Sequence, residues 1–143
     1  MIYLKETDLK AYTQERLISE SVADFEEAKE EFEEHRISEV KVMISKYYDV
    51  ATIFGNTPVR HPHLVKILTK MVGYDIKKRN AARKVNSDVE KDLEWAEKEL
   101  DKMHRGIIKF DDLPPKPSNP NNPGGTNASK TLYGNLSNKN FYI

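Results

Sequence analysis

The sequence predicts a mainly α-helical fold: a small antiparallel bundle of three to four helices with a short β element and an extended C-terminal arm. Three observations predict it. Apolar residues recur at steps of three and four between Ile37 and Met103, the period of one buried helix face. Acidic residues stop at Asp112. Beyond that point the chain is rich in Pro, Asn, Gly and Ser, with too many helix breakers and too little apolar content for a core of its own. The chain therefore divides into a helical body, 1–112, and an arm, 113–143.

The elements follow in order. Met1-Ile2-Tyr3-Leu4 is a short apolar start suited to a packed extended segment. Thr7 is placed to cap a helix, with Asp8 in its first turn, and Leu9, Tyr12, Leu17 and Ile18 give an imperfect apolar face. Ser19 or Ser21 can cap the next helix. Residues 24–34 hold seven acids with only Lys29 to offset them. Ile37, Val40, Ile44, Tyr47 and Ala51 then step along one helical face, so one long helix with a frayed acidic start is expected. Gly55-Asn56-Thr57-Pro58 is a turn. Pro62 suits a first helical position. Leu64, Leu68 and Met71 behind it, flanked by Val65 and Val72, mark the central buried helix. Lys77-Lys78-Arg79 complements its C-terminal dipole. Ser87-Asp88-Val89-Glu90 is a capping box. Val89, Leu93, Ala96, Leu100 and Met103 form the best-patterned helix, and Gly106 is its natural C-cap. Gly106–Phe110, with two isoleucines, has the composition of a short strand.

The net charge is zero but unevenly spread. Residues 1–59 carry seven basic and thirteen acidic side chains, net −6; residues 60–112 carry thirteen and ten, net +3; the arm adds three lysines and no acid. A split of this kind suits a partner of mixed sign or further copies of the chain, not wholesale phosphate binding. There is no cysteine, hence no disulfide framework or thiolate metal site. The start lacks a signal-peptide apolar region, and no run approaches the ~20 apolar residues of a membrane span. A soluble protein made in the cytoplasm is expected, with no membrane partner.

The search for chemistry returns no nucleophile motif, no phosphate-cradling glycine loop and no metal-spaced cluster. His61 and His63 flank Pro62 without a third ligand, so a helix start is expected there. No catalysis, cofactor or metal is expected. Glu26, Glu27, Glu30, Glu31, Glu33 and Glu34 suggest a solvated face, or a channel wall that repels DNA. Lys77-Lys78-Arg79 with Arg83-Lys84 is the one basic patch. Trp95 lies at the edge of its helix stripe, facing the core or a neighbouring subunit. In the arm, Leu132, Tyr133, Leu136, Phe141, Tyr142 and Ile143 are too apolar for an inert linker and are the candidate partner-binding residues. Pro114, Pro115, Pro117, Pro120 and Pro123 keep its first part extended, and Gly124-Gly125 is a joint.

The stretch from Ile37 to Pro114 resembles the Mu-like prophage family of head–tail connector proteins of tailed bacteriophages. Lys46-Tyr47-Tyr48-Asp49 with Ile53-Phe54 is similar to one family element. Arg60-His61-Pro62 and the Leu64–Tyr74 helix are similar to its central helix. Glu94-Trp95-Ala96 falls on its tryptophan-bearing helix, and Gly106 with Asp112-Leu113-Pro114 on its close. The start, Met1–Tyr12, fits as well. Trp95-Ala96 departs from the family's Trp-Leu pair, the acidic 24–34 segment is longer, and the arm has no counterpart. The resemblance implies a virion structural protein at the head–tail junction, in a ring commonly of twelve copies beneath the portal. The ring would extend the DNA channel, pass DNA without specific binding, and dock the next tail or stopper protein. The alternative from a different class is a monomeric helical binding module whose arm is a peptide ligand.

Overall fold

The computed structural model describes residues 1–12, 25–79 and 87–117. Five helices lie among them: α1 (Glu6–Tyr12), α2 (Phe25–Ile44), α3 (Val50–Ile53), α4 (Pro62–Arg79) and α5 (Ser87–His104). The fold is mainly α, as the periodicity predicts. α4 packs against α1, α2 and α5 and is the centre of the bundle. Cross-helix pairs define the directions. Lys70 meets Asp92 and His63 meets Glu99, so α4 and α5 are antiparallel. Arg36 on α2 meets Asp75 on α4, while His104 at the end of α5 lies 3.0 Å from the Met43 carbonyl of α2. No helix among the described residues is long and apolar enough to cross a membrane.

The core is the one the spacing requires. Val40, Ile44, Leu64, Leu68, Met71, Ala96 and Leu100 are all buried. Ile67, Val72 and Ile76 extend the α4 contribution, so α4 is apolar round most of its circumference. Tyr47 and Leu93 are half-buried. Ala51 is exposed, against expectation: α2 ends at Ile44, and Asp49 caps a separate short helix by accepting from the Ala51 and Thr52 amides. The first helix also starts differently. It begins at Glu6, and Asp8, not Thr7, serves its start by accepting the Lys5 N–H at 2.8 Å.

Gly73 in α4 is buried because Tyr12 of α1 lies across it; a Cβ there would stand 2.6 Å from the ring. Tyr12 donates to Asp92 at 2.5 Å, and Lys70 binds the other oxygen of the same carboxylate. Burial and that carboxylate together raise the Tyr12 pKa. Burial alone would raise the Asp92 pKa, but the bonds from Lys70 and Tyr12 outweigh it and lower the value. Gly106–Phe110 is not a strand. Among the described residues the β content is one antiparallel bridge, Tyr48 with Pro115.

Candidate assembly junction

The residues that carried the family resemblance are spread over 1–12 and 46–114 in sequence, and Tyr47, Tyr48, Asp49, His61, Gly106 and Pro114 among them meet at one end of the bundle. α5 ends in a two-bond C-cap. Gly106 N–H donates to Met103 O and Ile107 N–H to Lys102 O, with Gly106 at φ +73°. Tyr47 closes over this glycine, its hydroxyl 2.8 Å from where a Cβ would stand. The chain then turns back under α4. Phe110 N–H donates to the Tyr48 hydroxyl at 2.8 Å. The Phe110 ring packs on His61 and His63, with centroids 4.4 and 5.1 Å away. Leu113 is buried. Asp49 N–H donates to Pro114 O and Lys116 N–H to Tyr47 O, each at 2.9 Å. The base of the arm is thus fixed to the α2–α3 connection by two backbone hydrogen bonds on either side of Pro115. A cleft of about 310 Å³ opens beside it, lined by Tyr47, Tyr48, Phe110, Leu113 and Pro115 with Lys109 and Asp111.

The two histidines have structural work at this junction. His61 is the N-cap of α4: its Nδ1 accepts the His63 N–H at 3.2 Å, as a capping oxygen would. Its Nε2 lies 3.2 Å from Asp112 on the returning chain. Tyr3 donates to Val59 O and accepts the His61 N–H, which ties the N-terminal segment to the same turn. His63 Nε2 lies 3.2 Å from Glu99 but is not aligned for a hydrogen bond with it. Burial lowers the His63 pKa, and the Glu99 charge only partly offsets this. Glu99 is held below the usual carboxylate range, mainly by its bond from Lys102 at 2.6 Å. No cluster of three metal-ligating side chains occurs among the described residues.

The acidic segment requires a correction. Glu33, expected on a solvated or channel-facing wall, is fully buried. Its carboxylate accepts three backbone N–H bonds from the N-terminal segment: Ile2 at 2.6 Å, Tyr3 at 2.8 Å and Leu4 at 2.6 Å. Lys29, one turn earlier, is also buried and reaches Glu6. Glu30 is exposed and lies 2.7 Å from the Met1 amino group, whose bond lowers its pKa. Only Glu31 and Glu34 fit the expected exposed face without such a partner among the described residues. The side chains of Glu26 and Glu27 lie outside the described residues. So do Arg83 and Lys84, and so do all six arm residues expected to bind a partner: Leu132, Tyr133, Leu136, Phe141, Tyr142 and Ile143. Trp95 is half-buried; it packs edge-on against His63 at 5.8 Å, with Lys66 and Lys70 over its ring.

Sequence reasoning placed the start of α4 and the Gly106 cap of α5 at this site but missed α3, Glu33 and the 47–49 contact. Glu33 falls on the register of the core stripe, but its charge masks that position in the sequence. Comparison with protein-family models, curated proteins and solved structures returns no match.

Proposed function

We propose that this chain is a structural subunit of a head–tail connector: a helical protomer of a ring beneath a phage portal, with the C-terminal arm engaging the next copy or the portal. The observation that carries this reading is the junction. Leu113 and the Asp49–Pro114 and Tyr47–Lys116 hydrogen bonds fix where and in what direction the arm leaves the body. A peptide that starts from a fixed point spends less entropy in reaching a partner than one on a loose hinge. The residues that make the junction, Tyr47, Tyr48, Asp49, Gly106 and Asp112-Leu113-Pro114, are also those by which the chain resembles the connector family. The charge split adds support, since ring contacts are heterologous and join two different faces.

Full-length chain and a variant lacking 126–143 are compared by mass photometry and negative-stain microscopy, each alone and with portal rings. Full-length chain assembles into rings or caps the portal. The truncated chain keeps its helical circular dichroism and loses attachment. A truncated chain that assembles normally overturns the arm's role, and a full-length chain that stays monomeric with portal present favours the binding-module alternative.

A further inference from the structure

α2 and α5 pack against each other, and the space between them is not filled. A groove of about 470 Å³ lies there. Met43, Met71 and Leu100 form its floor and Val42 its lip. Met71 and Leu100 are core side chains, while Val42 is 71% exposed, the most exposed of the large apolar residues among those described. The walls are charged: Arg36 and Glu39 on α2 and Glu97 on α5, with Arg36 held by Asp75 and Glu39. Among the described residues, Glu97 is the one wall carboxylate left without a cation. An apolar floor beside it suits a ligand with a large apolar side chain close to a lysine.

The chain contains such a segment. Beyond Pro117 the sequence has no acid, and Lys139-Asn140-Phe141-Tyr142-Ile143 sets a lysine two residues before three consecutive large apolar residues. We propose that the α2–α5 groove is the docking site of this chain's own Lys139–Ile143 segment in the free protomer, with the apolar residues on the methionine floor and Lys139 toward Glu97. Position favours the same chain over another copy. The arm is pinned at Lys116 to Tyr47, only five residues past Val42, so it leaves the body at the groove's end of α2. Twenty-one residues separate Pro117 from Lys139, and a linker of that many residues has a root-mean-square span of roughly 25 Å. Such a tether presents its end at an effective concentration of about a millimolar, far above the micromolar concentration of a second copy. The inference does not rest on the connector reading; if both hold, the segment leaves this groove when copies assemble.

The absence of native cysteine makes a clean test possible. Full-length V42C/Y142C is oxidised at low micromolar concentration and read by non-reducing electrophoresis and mass spectrometry. An intramolecular disulfide forms at least tenfold faster than in V42C/S129C, whose cysteine lies on a shorter tether outside the docking segment. Adding Glu97→Lys slows the first reaction several-fold. Equal rates in the two cysteine pairs, or a rate indifferent to Glu97→Lys, overturn the proposal. Disulfide-linked dimers in place of the intramolecular product also overturn it and assign the groove to a second copy.

Discussion

Glu33 offers the sharpest test of how this body is held together. Its carboxylate is fully buried and accepts three backbone donors, of which the Tyr3 and Leu4 amides are themselves buried. Glu33→Ala removes every acceptor at once. Each buried N–H left without a partner costs about 1–3 kcal/mol, so the two buried amides together imply roughly 2–6 kcal/mol. An upper limit comes from escape. The segment can undock and solvate its amides, which exposes Tyr3 and Leu4 at a cost of about 1.5–3 kcal/mol for each side chain. The expected loss is therefore about 3–5 kcal/mol. Glu33→Gln is more instructive. Its oxygen can still accept from Tyr3 and Leu4, but its amide nitrogen then faces the Ile2 N–H, donor against donor. Losing that one charge-assisted bond costs about 1.5–3 kcal/mol. Urea unfolding followed by the fluorescence of the single tryptophan measures both variants, and hydrogen exchange at the Tyr3 and Leu4 amides shows whether the segment has undocked. A Glu33→Ala variant within about 0.5 kcal/mol of the parent, the range of an ordinary surface substitution, with unchanged exchange at residues 2–4, refutes the reasoning and restores the solvated-face view.

Three further outcomes follow from the packing and the junction. Leu68→Ala or Leu100→Ala should each cost about 2–5 kcal/mol, read as a lowered melting temperature, since both side chains are buried in the α2–α4–α5 core. Gly106→Ala should cost about 1–2 kcal/mol from the left-handed backbone alone, and more because the new methyl meets the Tyr47 hydroxyl; melting of Gly106→Asn should fall between the two. Acidification should destabilise in two stages. The folded His63 value lies below its ordinary 6.5, so the unfolded chain takes up that proton first, and stability present above about pH 6.5 is lost as pH falls through the folded value. Glu99 and Asp92, also held low in the folded state, add a second loss below about pH 4.5. His63→Gln should abolish the first stage and leave the second; a first stage that persists in this variant counts against the assignment.

The bundle was legible because α4 and α5 obey one rule each. α5 steps from Val89 to Met103 at threes and fours, and α4 opens on a proline at its first position. The acidic segment was not legible because its buried positions are filled by charge. Lys29, Glu33, Ile37, Val40 and Ile44 form one buried stripe at helical spacing, but the first two members read as solvent-exposed until their partners in residues 2–6 are known. No periodicity reveals a carboxylate whose ligands are backbone amides thirty residues away. The missing strand has a different cause. Ile107 and Ile108 favour extended backbone, yet a strand needs a partner edge. Here the neighbouring backbone is engaged elsewhere: the Ile107 and Ile108 amides donate to Lys102 O at the helix end, and Phe110 donates to a side-chain hydroxyl. Only around Pro115 does a free backbone edge, 47–49, present itself, and there the one bridge forms.

The junction also sets how force on the arm would reach the body. The arm's base is held by two backbone hydrogen bonds and the burial of Leu113. Net values of about 1 kcal/mol for each bond and 1.5–3 kcal/mol for the leucine give roughly 3.5–5 kcal/mol. A domain of this size has a global stability of about 5–15 kcal/mol. The anchor is thus at or below the weakest stability expected for the bundle it is attached to. Tension on the arm peels residues 113–117 from the 47–49 edge before α2, α4 and α5 separate. The next contacts to load are His61–Asp112 and Phe110–Tyr48, both on the N-cap side of α4. A body built in this way gives at the arm's base first and keeps its helices packed.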